Sequence, residues 1–418
     1  MPKLNGTQLY GARRLAATLR LAGHPDLRRL SPRRKLALAR VSRQSKATRL
    51  DGQIYSNTFT PPYPSPAYDR YLRGLISLAE GRPVPVIANF AVTAKCPCNC
   101  WHCSFASREK KKELSTAELR QAIGQVQALG ASVIGFTGGE PLLRPDLEEI
   151  IASVGPDSTP LLFTTGFELD RARVRRLKEA GLKMPVVSLD HHTAAVHDRG
   201  RRRAGMFDTA LKALELFREE GFYVSVSFVP TRELMDDPAD LWRTIEFFRA
   251  QGVNDMRLTS PILSGRLTAR PEEKLTPANV AAIHDIQRKC TTTPGYPGVF
   301  AYDYFESQRF YGCGAGFNYL FVDAEGNVCP CDFTMISLGN LREAPLAEIW
   351  QAMSGRFRLP GVTCYANRIN DTLAVLQPKV WPLGPAESGE VLDQHQPYQE
   401  DELPEFWAAM LRPGGRGK

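Results

Sequence analysis

Four thiols fall within eight residues, at Cys96, Cys98, Cys100 and Cys103 of the run Cys96-Pro97-Cys98-Asn99-Cys100-Trp101-His102-Cys103. Thiolate is the ligand that iron–sulfur clusters and structural zinc both take, so this density points to a metal centre. The spacing Cys96-x-x-x-Cys100-x-x-Cys103 lets one loop wrap a cubane with three ligands. Zinc is the competing reading, with Cys98 or His102 as a fourth ligand; for iron, Cys98 is a bystander between ligands. Cys313, Cys329, Cys331 and Cys364 suggest a second centre, and Cys290, which stands apart, reads as a buried thiol. Nine cysteines in a chain with no membrane-spanning apolar run fit metal or redox chemistry in a reducing compartment better than disulfides.

The elements that must position these thiols follow from alternation of apolar β-rich runs with amphipathic stretches. Strands are expected at 87–93, 131–137, 160–165, 184–189, 223–229 and 255–260. Helices are expected near 115–129, 145–154, 170–180, 206–220, 238–251 and 276–289. Ser115 with Glu118 forms a capping box at the start of the first of these. Six βα units imply an α/β fold with a parallel sheet curved into a partial (βα)6, TIM-like barrel. Ligands bind such sheets at the carboxyl ends of the strands. The first thiol group follows strand one there, Gly138-Gly139-Glu140-Pro141 follows strand two, Thr165-Gly166 closes strand three, and Ser188 and Asp190 close strand four. After about residue 292 the alternation stops. Phe317 to Val328 reads as a hairpin turning at 323–327, and a short helix is expected around 345–353.

In this order the motifs resemble the radical SAM superfamily, whose cysteine loop leaves one iron of a [4Fe-4S] cluster without a protein ligand. The Gly-Gly-Glu turn is similar to that superfamily's motif, and its carboxylate, Glu140, would suit the ammonium of a methionine moiety. Ser188-Leu189-Asp190 with His197-Asp198-x-x-Arg201 resembles the SPASM/twitch branch, with departures at Arg202, where glycine is usual, and at Thr165, where asparagine is frequent. The resemblance implies that Gly138, Gly139, Glu140, Ser188, Asp190 and Arg201 bind S-adenosylmethionine, Arg201 through its carboxylate, and that Cys96, Cys100 and Cys103 hold the catalytic cluster. Asp323-x-x-Gly326-x-Val328-Cys329-Pro330-Cys331 followed by Leu338-Gly339-Asn340 is similar to the branch's auxiliary-cluster module. Cys313, Cys329, Cys331 and Cys364 would then hold one auxiliary [4Fe-4S] cluster. Asn367 stands where a further cysteine usually follows, so Cys313, Cys331 and Cys364 carry that expectation more than Cys329. The resemblance covers residues 86 to about 365.

What it implies is an oxidoreductase- or maturase-type enzyme that cleaves S-adenosylmethionine reductively to a 5′-deoxyadenosyl radical, fed by a donor such as flavodoxin or ferredoxin. The radical would abstract hydrogen from a peptide or protein side chain, the favoured substrate; a lipid at a membrane surface, a tetrapyrrole or another small metabolite are the alternatives. A non-catalytic iron–sulfur electron carrier or a zinc-binding module is the reading from another class. The chain is net +8, but residues 1–50 hold thirteen Lys and Arg against Asp26 alone. This basic helical arm (1–56), with helices near 7–22 and 31–44, could meet a membrane surface or an acidic partner; nucleic acid is not expected. A proline-rich linker and lead-in helix (57–85), the radical SAM core (86–292), the auxiliary domain (293–370) and an irregular tail (371–418) complete the expected order. Arg13, Arg14 and Arg20 break any apolar signal segment, so a cytoplasmic protein, peripheral to the membrane if the arm binds one, is expected.

Overall fold

The computed structural model describes residues 4–106, 108, 112–376, 380–399 and 401–411; Pro378, Glu400 and the Gly-rich basic end lie outside them. All six expected strands form within two residues of their predicted ends: β1 Ile87–Thr93, β2 Val133–Gly138, β3 Thr159–Thr164, β4 Met184–Ser188, β5 Ser225–Phe228 and β6 Asp255–Leu258. They pair in sequence order, parallel throughout. Their near-continuous apolar runs are buried on both faces, as parallel strands covered by crossover helices must be.

Two additions lengthen the sheet. The alternation does not stop at 292: Gly298–Ala301 (β7) follows helix Pro277–Thr292 and pairs parallel with β6. The expected hairpin forms from β8, Tyr319–Val322, and β9, Val328–Cys329. It is not a separate layer, because β8 lies parallel beside β1, with Tyr319 opposite Ile87 and Val322 opposite Phe90. Cys329, at the end of β9, is thereby placed beside the strand that delivers the Cys96–Cys103 loop.

Both halves of the capping box at helix Thr116–Ala128 are present, Ser115 N–H donating to Glu118 at 2.7 Å. The stretch expected as an extended connector is instead packed: Phe59, Pro61 and Pro62 are buried, and Thr58 donates to Asp255 at 3.1 Å. The tail is not irregular either, since it contains helices Tyr365–Leu376, Pro385–Gln394 and Glu405–Met410. Phe406, Trp407 and Met410 are buried, with the Trp407 ring edge-on to Phe317 at 4.9 Å. The arm consists of α1 (Gly11–Ala22), α2 (Pro25–Arg28) and α3 (Pro32–Ser42), followed by the lead-in helix α4 (Pro66–Ala79). A small sheet of Thr7–Gln8, Thr48–Leu50 and Gln53–Tyr55 ties the arm's ends. Among the described residues no helix is long and apolar enough to cross a membrane.

Asp255, at the start of β6, is fully buried, and its Oδ1 has no hydrogen-bond partner among the described residues. Burial pushes its carboxyl up to about 7. A carboxyl raised in the folded state penalises folding above that pKa and not below its unfolded value. Asp255→Asn should therefore stabilise the protein at pH 8, by at most about 4 kcal/mol for a three-unit shift, and by little at pH 5. Urea unfolding at the two pH values reads the difference.

Candidate active site and auxiliary thiol group

The thiol loop is clamped from two sides. Asn99 and Trp101 donate backbone N–H groups to the carbonyls of Arg201 and Gly200, at 3.0 and 3.1 Å, at the end of helix Ala194–Arg201. On the other side Arg266 N–H donates to Cys103 O at 3.2 Å, and Trp101 packs against Leu263, Leu267 and Val229. Gly265 makes that approach possible: it sits at φ +57°, and a Cβ there would lie 2.4 Å from Cys103 O. Segment 263–267 carries no motif, so only its fold position reveals its role. Cys98 lies in hydrogen-bond contact with the thiols of both Cys96 and Cys100. That contact, with Arg201 close by, holds Cys100 well below the ordinary thiol range and favours the thiolate that iron takes.

A pocket of about 280 Å³ joins this loop to the strand ends, lined among others by Cys96, Cys100, Cys103, Gly138, Gly139 and Ser188. The turn after β2 is pressed onto the loop by Gly139 N–H to Thr93 O and Glu140 N–H to Lys95 O, both 2.7 Å. A Cβ on Gly139 would come 2.0 Å from Lys95 O. Gly139→Ala should cost about 1–3 kcal/mol by overpacking and force the turn off the loop. Thermal unfolding checks this.

Glu140 and Asp190, both expected to touch the ligand, are tied into the protein's own network. Glu140 is buried, and its carboxylate accepts from Thr164 Oγ1, Thr165 N and Thr165 Oγ1 at 2.6 Å and from Leu142 N at 3.0 Å. These four donors tie β2 to β3 through a side chain that also lines the pocket. Asp190 does not line the pocket. It accepts from Val229 N at 3.1 Å and meets Arg201 Nη2 at 2.6 Å. Arg201 is buried, also reaches Cys100 Sγ at 3.6 Å, and keeps Nε–H without a partner among the described residues.

Cys313, Cys331 and Cys364 all line a second, largely apolar cavity of about 260 Å³. Cys329 does not join them. It is fully buried against Ala91, Phe105 and Phe321, and its sulfur accepts from Arg108 Nη1 at 3.4 Å. β9 ends at Cys329, and Pro330 has no N–H to continue the ladder, so Cys331 leaves the strand's path. Ile262, Asp332 and Phe333 line both cavities and form the wall between them. Beside that wall Arg257 lines the first pocket, donates Nε–H to Tyr302 OH at 2.8 Å and lies 4.6 to 5.0 Å from the ring centres of Phe59, Phe163 and Tyr302. Phe59 and Tyr302 belong to the apolar cavity. Among the described residues Arg257 makes no direct ion pair; the buried carboxyl groups of Asp332 and Glu306 act on it only through space. Nothing in its local sequence sets it apart from a surface arginine.

Residues 90–255 match the radical SAM superfamily model, and residues 313–366 match that of an iron–sulfur cluster-binding domain, SPASM. The chain belongs to the radical SAM superfamily. It is an enzyme of the SPASM branch whose cofactors are [4Fe-4S] clusters and S-adenosylmethionine. Similar relatives from Methanosarcina barkeri (strain Fusaro / DSM 804) are an AdoMet-dependent heme synthase, 28% identical over 295 residues (64% of this chain, 82% of the relative), and an Fe-coproporphyrin III synthase, 27% identical over 332 residues (70% and 82%). Streptococcus suis SuiB bound to S-adenosylmethionine shares the fold at TM-score 0.55 and 15% identity, over 71% of this chain and 75% of that one. AdoMet-bound anSMEcpe does so at 0.54 and 15%, over 74% and 93%. The donor sets fit these cofactors. All four thiols of the loop, Cys98 included, line one pocket, where Arg201 Nε and His102 Nδ1 are buried and in want of a partner among the described residues, and three more line the other cavity.

Proposed function

We propose that this radical SAM enzyme acts on an apolar, carboxylate-bearing small molecule held between its two thiol groups, and that a tetrapyrrole is the class. The observation that carries this is the shared wall: one thiol group faces each cavity, and Ile262, Asp332 and Phe333 are all that both have in common. Cys96, Cys100 and Cys103 would hold the cluster, which with S-adenosylmethionine would supply radical chemistry for hydrogen abstraction. The chain's residues do the rest. Gly138 and Gly139 bring backbone close to the nucleoside, Ser188 faces it from the end of β4, and Arg201 orients Cys100. Glu140 acts as a positioning residue by fixing the turn that bears those glycines. Cys313, Cys331 and Cys364 would hold the auxiliary cluster at the far side of the substrate.

Arg257 is the reason to favour a carboxylate. A guanidinium stacked among aromatic rings and bonded only to a phenol is preorganised for bidentate pairing with a planar anion. The aromatic and aliphatic walls beyond it suit a flat macrocycle, and the names of the heme and coproporphyrin synthases agree with that class. A peptide rests on branch membership alone, since the solved neighbours that hold peptides are similar in fold only. Anaerobically reconstituted protein should shift the Soret band of an iron coproporphyrin and release 5′-deoxyadenosine faster in its presence. Arg257→Met should weaken that binding at least tenfold, and the porphyrin methyl ester should bind wild type and variant alike. A tetrapyrrole that changes neither spectrum nor release rules the class out.

A further inference from the structure

The arm carries a surface that the reaction leaves unused. Leu15 and Leu19 of α1 are 59% and 63% exposed, and Leu36 of α3 is 69% exposed. Among the described residues the other large apolar side chains so exposed, Val375, Leu376 and Val380, flank 377–379. Ala12, Leu15, Ala16, Leu19 and Ala22 recur at helical spacing along α1, all exposed, and form one apolar stripe facing outward. Such a stripe is ordinarily buried against a neighbour. The two helices are held as a unit, with Arg14 Nη2 donating to the carbonyls of Ser42 and Ser45 at 3.1 and 2.7 Å.

The charge that the arm itself brings to the stripe is almost all positive, with Glu405 of the packed C-terminal helix paired to Arg40 at 3.0 Å. Arg13 and Arg20 flank the leucines on α1, and Arg33, Lys35 and Arg43 stand exposed on or beside α3. The one acid of the first fifty residues, Asp26, lies at 3.8 Å from both His24 and Arg73. The apolar cavity also runs out to this face. Thr18, Leu21 and Ala22 of α1 and Lys35, Leu38 and Ser42 of α3 line it, and Ala22, Lys35 and Ser42 are themselves exposed.

We propose that α1 and α3 dock on an anionic phospholipid bilayer, leucines in the acyl boundary and arginines at the headgroups, with the apolar cavity opening onto that surface. An apolar stripe with a predominantly cationic flank is the design of an interfacial helix, and anionic headgroups complement it. A molecule dissolved in the bilayer then reaches the wall at Asp332 without crossing water. The docking rests on the stripe and the charge; only the route inward rests on the function proposed above.

Co-sedimentation of the reconstituted holoenzyme with vesicles tests it. Vesicles of phosphatidylcholine with a quarter phosphatidylglycerol should bind the protein at least tenfold more tightly than phosphatidylcholine alone, and the preference should fall in high salt. The variant Leu15→Ser/Leu19→Ser/Leu36→Ser should lose at least tenfold in binding to the anionic vesicles, and Arg13→Glu/Arg20→Glu should lose the anionic preference. Both should keep the wild-type circular dichroism and the rate of substrate-free S-adenosylmethionine cleavage. No binding of wild type to anionic vesicles, or binding that both variants retain, overturns the proposal. Failure of tetrapyrroles to bind would leave this result unaffected.

Discussion

Arg201→Met should destabilise the protein by about 3–5 kcal/mol at pH 8, the cost of leaving one member of a buried ion pair without its partner. Asp190 and Arg201 are 8% and 6% exposed, and their charged groups stand 2.6 Å apart. Burial alone would push the Asp190 carboxyl up; the Arg201 guanidinium overcomes this and holds it below its ordinary range. A carboxyl lowered in the folded state contributes stability above its unfolded pKa and loses it as pH falls through the folded one. In the variant the sign reverses: Asp190 takes up a proton readily, and that relieves the buried charge. The deficit should therefore shrink between pH 8 and pH 5, which urea unfolding at both values reads. Arg201→Met/Asp190→Leu should recover much of the loss, since removing both charges leaves none uncompensated. Recovery should not extend to the cluster. Cys100 loses the guanidinium 3.6 Å from its sulfur in both variants, and both should reconstitute less iron at that loop.

The barrel was legible because its strands obey a local rule. Each of the six is an apolar run followed by an amphipathic stretch, the first of these opened by the Ser115–Glu118 box, and neither signal needs knowledge of the rest of the chain. The thiol loop and the Gly-Gly-Glu turn were legible for the same reason. What could not be read depended on pairings between distant segments. Nothing in Tyr319–Val322 announces that it will lie beside Ile87–Phe90, more than two hundred residues earlier. Gly298–Ala301 is only four residues long and is a strand because β6 offers it an edge. Glu140 illustrates a subtler limit. The residue type suits a ligand's ammonium, but its hold on Thr164 and Thr165 of the next strand could not be read from the turn alone. Arg257 was missed altogether, because a lone arginine in a strand acquires meaning only from the three rings that enclose it.

Cys331→Ser and Cys329→Ser should separate cleanly, although the two residues are only two apart. Cys331 shares a cavity wall with Cys313 and Cys364, so its loss should remove most of the auxiliary iron: about half of the total, if each group holds one four-iron cubane. Cys329 faces the other way, into Ala91, Phe105 and Phe321, with Arg108 as its polar neighbour. Arg108 is itself buried, donates Nη2–H to Thr334 O at 3.1 Å, and lies 4.9 Å from the Phe321 ring centre and 3.7 Å from Asp323. The sulfur of Cys329 is thus part of a charge-bearing junction between the hairpin and β1, and a hydroxyl there still accepts from Arg108. Cys329→Ser should keep the full iron content and cost no more than about 1–2 kcal/mol, whereas Cys329→Ala, which leaves an Arg108 donor unmet, should cost more. Iron analysis and the electron paramagnetic resonance signal of the reduced protein decide between the two sites. Loss of half of the iron in Cys329→Ser, with iron retained in Cys331→Ser, would place the auxiliary cluster on the opposite face of the hairpin.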